Sequence, residues 1–259
     1  MVSAAGIVLA GGRSTRMGTA KSALEWHGST LLRRAVGLVS RGTGGPVVVV
    51  RAPGQALPAL PPGVDVVDDP EEGLGPLQGL AAGLAALAGT ADAAFVCSTD
   101  VPFLHPAFVA RVVRGLDGGA DVALPYAGGY PQPLAAAYRT SLAPAAEKLV
   151  AAGRLRPAFL WDECTVARLD EAALLADPAV AAADPGLESV VNVNTPEEYD
   201  AARARPAPEV TVERYGPLAA AGGRGPCTVR AATLAAAAGA CGIELGRHVV
   251  AFLAADAGG

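Results

Sequence analysis

The chain has 259 residues, 51% of them hydrophobic, and a formal net charge of −5 at pH 7. This length suits one large domain, or one with a small appendix, and the hydrophobic content excludes a disordered protein. Its apolar runs are too short and interrupted to span a bilayer, and no basic stripe alternates with aromatic residues. Membrane and nucleic-acid partners are therefore not expected.

The first half of the chain reads as alternating strands and helices. Apolar, β-branched runs predict strands at 6–10, 46–50, 64–67, 93–97 and 121–124. Ser29 is a candidate N-cap for a first helix, residues 77–87 form an Ala/Leu-rich second helix, and Pro106 suits the first turn of a third. This alternation predicts a parallel sheet covered on both faces, with the ligand crevice at the carboxyl ends of the strands.

The second half is less regular. Strands are predicted at 134–138, 165–169 and 190–194, and a helix at 142–152. Thr195 and Glu198 have capping-box spacing around Pro196, which predicts a further helix start. The character changes near Arg205, so we predict a domain over 1–205 and a linker with a small C-terminal segment over 206–259.

The stretch from Leu9 to Lys21 combines glycines with fixed positive charge directly after the first strand. Glycines 11 and 12 allow backbone N–H groups to approach oxygen atoms closely. A helix N-terminus supplies only about half a positive charge, too little for a triphosphate, so Arg16 and Lys21 are needed as cations. Neither the G-x-G-x-x-G nor the G-x-x-x-x-G-K-[ST] pattern is present. A solvated glycine-rich turn is the alternative reading.

Five stretches in order resemble the molybdenum cofactor guanylyltransferases, within the MobA-like nucleotidyltransferases. They are the loop Leu9-Ala10-Gly11-Gly12 with Arg16-Met17-Gly18 and Lys21, then Gly75-Pro76-Leu77, Asp100-Val101-Pro102-Phe103, Gln132-Pro133-Leu134 and Asn192-Val193-Asn194-Thr195-Pro196. The resemblance covers residues 4 to about 204. It implies an α/β fold of three α/β/α layers, Rossmann-like, with a mostly parallel sheet and a small C-terminal appendix.

The resemblance also implies a site. The nucleotide would be bound by Leu9, Ala10, Gly11, Gly12, Lys21, Asp69 and Asp100, with Lys21, Arg16 and Asp100 as catalytic residues. Asp100 follows the fourth strand, where a carboxylate suits Mg²⁺ that is also held by substrate phosphates. Asp68 and Asp69 are alternatives for the nucleoside contact, and Asp69 is favoured.

The acceptor side is expected at Gln132, Asn192 and Asn194. If residues 190–194 form a strand, both asparagines share one face, which suits a polar ligand, although Asn194 could instead cap the next helix. Arg154 and Arg156 are candidate cations for an anionic acceptor. At the end of the second strand the chain departs from the family, because Arg51-Ala52-Pro53 replaces a small polar residue, and this leaves guanine recognition unassigned.

The predicted function is transfer of GMP from GTP to the phosphate of molybdopterin, with release of pyrophosphate, in the cytoplasm. Molybdoenzymes or cofactor chaperones are the expected protein partners. The four cysteines are scattered without a CxxC motif and are predicted to be plain thiols. The alternatives are a cytidylyltransferase for the same cofactor, another small-molecule nucleotidyltransferase, and a nucleotide-binding carrier or adaptor without transfer activity.

The C-terminal segment lies outside this resemblance. A β-like run at 210–212, an Ala-rich helix near 231–240, an apolar run at 248–253 and the terminal Gly258-Gly259 resemble a truncated ubiquitin-like sulfur carrier of molybdopterin synthase. A degenerate β-grasp is one interpretation of this segment. A purely structural tail is the other.

Overall fold

A computed structural model of the chain describes residues 2–11, 20–71, 73–221, 225–246 and 249. The strands are β1 (Ala4–Leu9), β2 (Glu25–Trp26), β3 (Ser29–Thr30), β4 (Val47–Arg51), β5 (Val64–Asp68), β6 (Ala93–Ser98), β7 (Val122–Ala127), β8 (Tyr130–Pro131), β9 (Ala135–Arg139), β10 (Val166–Leu169), β11 (Glu209–Val212) and β12 (Cys227–Arg230).

The α-helices are α1 (Leu31–Thr43), α2 (Pro76–Ala86), α3 (Pro106–Arg114), α4 (Ala143–Ala151), α5 (Glu171–Leu175), α6 (Pro178–Ala183), α7 (Pro196–Arg203), α8 (Pro217–Ala221) and α9 (Leu234–Ala240). Short 3₁₀ helices cover Lys21–Ala23, Thr140–Leu142, Pro157–Glu163 and Glu188–Val190. The chain divides into two compact units, one of residues 1–24 and 30–199 and one of residues 25–29 and 200–259. The domain boundary expected near residue 205 stays a prediction.

The larger unit is built on an eight-stranded sheet. Its order is β10-β7-β9-β6-β1-β4-β5, with β8 paired to β7. Strands β1, β4, β5 and β6 are parallel neighbours, and β10 is parallel to β7. Strand β9 is antiparallel to both β6 and β7. The predicted, mostly parallel sheet is confirmed, and the antiparallel β9 brings its amino end to the edge where the parallel strands end.

Alternate residues of the central strands face two separate cores. Val8, Val47 and Val49 pack with α1 and α3 on one face, whereas Ile7 and Val48 pack with α2 and α4 on the other. This period of two is the geometry of a strand buried on both sides. The expected three layers of helix, sheet and helix are therefore present.

Two helix starts illustrate how local sequence fixes the elements. The cap of α1 is Thr30, whose hydroxyl accepts a hydrogen bond from Arg33 N at 3.2 Å, so the predicted cap at Ser29 is wrong by one residue. Ser29 lies within β3 instead. The capping box before α7 is confirmed, because Thr195 and Glu198 each accept the other's backbone N–H through their side chains, both at 3.2 Å.

In the smaller unit, β11 and β12 form an antiparallel pair and α9 follows. The strand expected at 210–212 and the helix near 231–240 are present. Of the predicted run at 248–253 only Val249 is described, and the terminal glycines lie outside the described residues, so the sulfur-carrier resemblance stays a prediction. In the part of the chain that the structure describes, no helix has the length and apolar character needed to cross a membrane. The four cysteines are free.

Candidate active site

Three side chains from distant parts of the larger unit meet at the carboxyl edge of the sheet. The Lys21 ammonium donates hydrogen bonds to Asp100 Oδ2 at 2.9 Å and to Asn194 Oδ1 at 2.8 Å. The Lys21 and Asp100 side chains are 18% and 17% exposed, so this ion pair is largely shielded from bulk water. The structure thus brings together three residues for which the sequence predicts roles with the phosphates, the metal and the acceptor, and these roles stay predictions.

Asp100 is held from several directions just beyond β6. The Ser98 hydroxyl donates to Asp100 Oδ1, and the Asp100 carbonyl oxygen accepts from Val193 N at 2.9 Å. On the far side of the same turn, Arg34 Nε donates to the Pro102 carbonyl at 2.7 Å. Arg34 is half-buried, and its partial loss of hydration lowers the pKa of its guanidinium below the usual value. The carboxylate therefore points into the site from a turn that is fastened to α1 and to residue 193.

The end of β1 leads into the glycine-rich loop. Leu9 and Ala10 are buried, and Ala10 N extends the pairing with β4 by donating to the Val50 carbonyl at 2.7 Å. A side chain at Gly11 would place its Cβ 3.1 Å from Ala52 N, so the two backbones approach closely here. Gly12 and Arg16 lie outside the described residues, and their nucleotide contacts stay predictions.

The two aspartates after β5 have different surroundings. Asp68 pairs with Arg51, Nε to Oδ1 at 2.6 Å, and its side chain is 54% exposed. Asp69 accepts from the Gln78 amide of α2, and burial raises the pKa of its carboxyl although that hydrogen bond opposes the rise. Asp69 also lies beside Gly79 of α2, where a Cβ would be in ordinary van der Waals contact with Asp69 Oδ2 at 3.6 Å. These surroundings favour Asp69 for the nucleoside contact, which stays a prediction.

The segment before α7 is not the strand predicted for 190–194. Residues 188–190 form a 3₁₀ turn, in which Asp184 accepts from Glu188 N at 2.6 Å and from Ser189 N at 3.1 Å. Val193 N then donates to the Asp100 carbonyl at 2.9 Å and Asn194 N to Glu198 Oε2 at 2.6 Å, so these N–H groups need no neighbouring strand. Val193 is buried while Asn192 is exposed, and Asn194 is half-buried. The structure thus places Asn194 against Lys21 and gives no polar contact for Asn192 among the described residues.

Gln132 lies at the same edge of the sheet, between β8 and β9. Its amide nitrogen donates to the Ala127 carbonyl at 3.2 Å and to the Tyr130 carbonyl at 3.4 Å. It lines a cavity of about 390 Å³ together with residues of the β7–β8 turn, α5 and the 185–191 segment. Lys21 and Asp100 do not line this cavity, so Gln132 and the Lys21–Asp100 pair occupy separate parts of the edge.

The two candidate cations for an anionic acceptor differ. Arg154 lies over the Phe159 ring, 4.4 Å from its centroid, and its guanidinium is 3.5 Å from Asp162 and 3.6 Å from Glu163. Arg156 is exposed. The Leu155 carbonyl between them accepts from Leu77 N at 3.4 Å and approaches Gly75, which has φ +82°. This loop therefore packs on the start of α2, and its role with an acceptor stays a prediction.

The oxygen atoms around Lys21 suit a hard divalent cation. Asp100 supplies a carboxylate, Asn194 an amide oxygen and Ser98 a hydroxyl, all ligand types that Mg²⁺ or Mn²⁺ accepts. Among the described residues no group of three or more His, Cys, Asp or Glu side chains could enclose a metal. Mg²⁺ usually takes one or two protein carboxylates plus substrate phosphates and water, so this donor set fits a metal that arrives with a nucleotide.

Four polar residues near the site belong to none of the sequence motifs and were not predicted. Ser22 and Gln78 are almost fully buried, Gln55 bridges the ends of β1 and β4, and Arg34 reaches the Asp100 turn from α1. Buried polar side chains need partners, so their burial is informative once the structure is known. From the sequence only the Pro53-Gly54 pair before Gln55 signals a turn.

A parallel sheet edge that carries a glycine-rich loop, a shielded lysine and a carboxylate of this kind defines a nucleotidyltransferase. Residues 6–167 match the family described as the MobA-like NTP transferase domain. The chain belongs to this family.

Related sequences and solved structures are consistent with membership of this family. The chain is 41% identical over 169 residues to a protein of Mycobacterium tuberculosis named probable molybdenum cofactor guanylyltransferase, covering 64% of this chain and 82% of that protein. Its fold is similar to the molybdopterin-guanine dinucleotide biosynthesis protein A of Archaeoglobus fulgidus, with a TM-score of 0.60, 22% identity and coverage of 77% and 96%. A Mycobacterium tuberculosis protein solved as a complex with manganese has a TM-score of 0.50, 19% identity and coverage of 64% and 87%.

Proposed function

We propose that this nucleotidyltransferase transfers GMP from GTP to the phosphate of molybdopterin and releases pyrophosphate. The observation that carries the proposal is the convergence of Lys21, Asp100 and Asn194 at the sheet edge, beside the loop that starts at Gly11. The name of the curated relative supports guanine as the base and the molybdenum cofactor as the acceptor.

The chemistry needs charge stabilisation and positioning more than proton transfer. An oxygen of the acceptor phosphate attacks the α-phosphorus of GTP, the bond from that phosphorus to the bridging oxygen of the β-phosphate breaks, and pyrophosphate leaves. The attacking oxygen is already ionised, so no general base is required. Lys21 would neutralise charge on the triphosphate, and the Gly11 backbone would lie against it without a Cβ in the way.

A divalent cation would be held by Asp100, and when bound it would neutralise the triphosphate and fix its geometry. Mg²⁺ is our proposed ion, and the manganese complex of a structural neighbour supports a divalent metal at this fold. Without nucleotide, Lys21 satisfies the Asp100 carboxylate. With nucleotide and cation bound, the Asp100 carboxylate would be neutralised by the cation instead of by Lys21, and the lysine would be able to turn toward the phosphates.

On the acceptor side, we assign Asn194 to the phosphate and Gln132 and Asn192 to the rest of molybdopterin. Asn194 is the best supported, since it already contacts the lysine that would face the reacting phosphates. Four free thiols are typical of a reducing compartment, which supports a cytoplasmic location. Molybdoenzymes or cofactor chaperones are the proposed recipients of the product.

The decisive experiment combines the full chain with molybdopterin, Mg²⁺ and each nucleoside triphosphate in turn, followed by mass analysis. We expect the guanine dinucleotide of the cofactor and one pyrophosphate per transfer. Asp100→Ala should reduce the rate by more than about a hundredfold. The control Asp117→Asn, at an exposed carboxylate in the turn after α3, should match the wild type. A cytosine product identifies the cytidylyltransferase alternative, and nucleotide binding without pyrophosphate release identifies an adaptor.

A further inference from the structure

One side-chain amide links the two ends of the glycine-rich loop. Gln55 Nε2 donates to the Ala10 carbonyl at 3.0 Å, directly before the loop, and lies 3.5 Å from Ser22 Oγ, directly after Lys21. Its other amide atom, Oε1, accepts from Ala52 N at 3.0 Å at the exit of β4. A single planar group therefore ties together the end of β1, the end of β4 and the 3₁₀ helix that presents Lys21.

A turn explains why residue 55 can reach these partners. Gln55 N donates to the Ala52 carbonyl at 3.0 Å, and the residues between are Pro53 and Gly54, the latter with φ +70°. Proline followed by a residue of positive φ is the signature of a type II turn. This turn folds the chain back over Ala52, so that the Gln55 side chain points toward β1.

The amide nitrogen and the amide oxygen of Gln55 both make contacts, and they do so beside a close approach of two backbones. Ser22 is 1% exposed, so its hydroxyl has little access to water as an alternative partner. Gly11 and Ala52 approach so closely that a Cβ at Gly11 would lie 3.1 Å from Ala52 N. Gln55 bonds to Ala10, the residue before Gly11, and to Ala52, so it holds the close approach between Gly11 and Ala52 from both sides.

We propose that Gln55 is a positioning residue that fixes the two ends of the glycine-rich loop and thereby sets the nucleotide affinity. Gln55 acts by holding Ala10 before the loop and Ser22 next to Lys21 after it. It would therefore affect the binding of the triphosphate and not the rate of the chemical step. The kinetic test of this inference rests on the proposed function, because it requires transfer activity with GTP. The structural link itself can be measured without nucleotide.

The test compares variants of Gln55 with a control substitution at Pro53, in the same turn. Gln55→Met keeps the length but removes both hydrogen-bonding atoms, and two lost bonds should weaken nucleotide binding about tenfold by calorimetry. Gln55→Glu keeps an acceptor but places a negative charge against the Ala10 carbonyl, so its loss should be larger. Pro53→Ala keeps both the amide and Gly54, whose positive φ the turn requires, so its dissociation constant should stay within about twofold of the wild type.

Steady-state kinetics separate positioning from general damage. In Gln55→Met the KM for GTP should rise about tenfold, like the dissociation constant, while kcat and the KM for molybdopterin change less than about threefold. Unchanged GTP affinity in both Gln55→Met and Gln55→Glu overturns the proposal, as does an equal fall of every parameter. If Gln55→Met does not fold, Gln55→Asn, which withdraws the amide by one methylene, gives the same comparison.

Hydrogen exchange tests the link when no transfer is seen. Amides at residues 6–11 and 20–24 should exchange faster in Gln55→Met than in Pro53→Ala, in the absence of nucleotide. Equal exchange in the two variants refutes the link itself. A wild-type chain that binds no nucleotide but shows this difference refutes the proposed function and leaves the role of Gln55 in fixing the loop ends.

Discussion

The shielded ion pair between Lys21 and Asp100 allows a quantitative prediction in the nucleotide-free protein. At 2.9 Å, the attraction between two unit charges is about 6 kcal/mol for an effective dielectric constant near 20. The cost of removing both groups from water offsets most of this, which leaves an expected coupling of about 2 kcal/mol. That coupling is larger than the value of an exposed surface pair, because both side chains are mostly buried.

The measurement is a double-mutant cycle with Lys21→Met and Asp100→Asn. Each single variant should lower the free energy of unfolding by about 2 kcal/mol, since each leaves one shielded charge without its partner. The double variant should lose about 2 kcal/mol in total, because no unpaired charge remains. Urea unfolding followed by circular dichroism, in chelator and without nucleotide, gives the three differences.

Two results would refute this reasoning. Additive losses, with a coupling below about 0.5 kcal/mol, would show that water screens the pair as it screens exposed ones. Destabilisation of the double variant beyond the sum of the singles would show that the two side chains contribute mainly through packing. The same cycle at high salt provides a control, since a shielded pair should keep most of its coupling at an ionic strength that screens exposed charges.

Two further predictions concern the scaffold. Gly83→Ala should lower the free energy of unfolding, measured by urea titration, by about 1 kcal/mol. The new Cβ would lie 2.7 Å from Cγ2 of the buried Ile7, and this overlap should outweigh the gain in helix propensity. The matched change Gly37→Ala, whose Cβ would have only one neighbour at 4.0 Å, should stabilise instead, and destabilisation by both would contradict the packing argument. His105 caps α3 by accepting from Ala107 N at 3.2 Å, and burial lowers the pKa of its imidazole below 6.5. The contribution of neutral His105 to stability should therefore be complete above pH 6.5 and should be lost as the pH falls through the lowered pKa of the folded state. His105→Asn should make the melting temperature depend less on pH between pH 7 and 5. An unchanged pH dependence of the melting temperature would exclude this titration.

The sequence allowed the order of the elements and the centre of the site to be predicted. Lys21, Asp100 and Asn194 each belong to a recognisable local motif, and Asp100 follows the continuous apolar run of β6. The position of Asp100 at the carboxyl edge of the sheet follows from the parallel strands, whereas Lys21 and Asn194 reach it from segments outside the sheet. The direction of β9 was not predictable in this way, because an apolar strand such as Ala135–Arg139 reads the same whether its neighbours are parallel or antiparallel.

The errors have specific physical causes. The alternation of valine and asparagine at 190–194 imitates a strand, but the backbone N–H groups of Val193 and Asn194 donate to the Asp100 carbonyl and to the Glu198 carboxylate instead of to a neighbouring strand. The contribution of Gln55 depends on a turn that brings it to the end of β1, 45 residues earlier in the chain. Such a contact depends on the tertiary fold, so it cannot be predicted from a local sequence pattern.

The contact between Lys21 and Asn194 spans 173 positions of the chain. During synthesis the lysine emerges long before its asparagine, so a nascent or prematurely ended chain that stops short of residue 194 has the loop but lacks this partner. Completion of the constellation thus reports that nearly the whole larger unit has been made and folded. A chain that ends before residue 194 would therefore hold the Lys21 ammonium through Asp100 without the second hydrogen bond from Asn194.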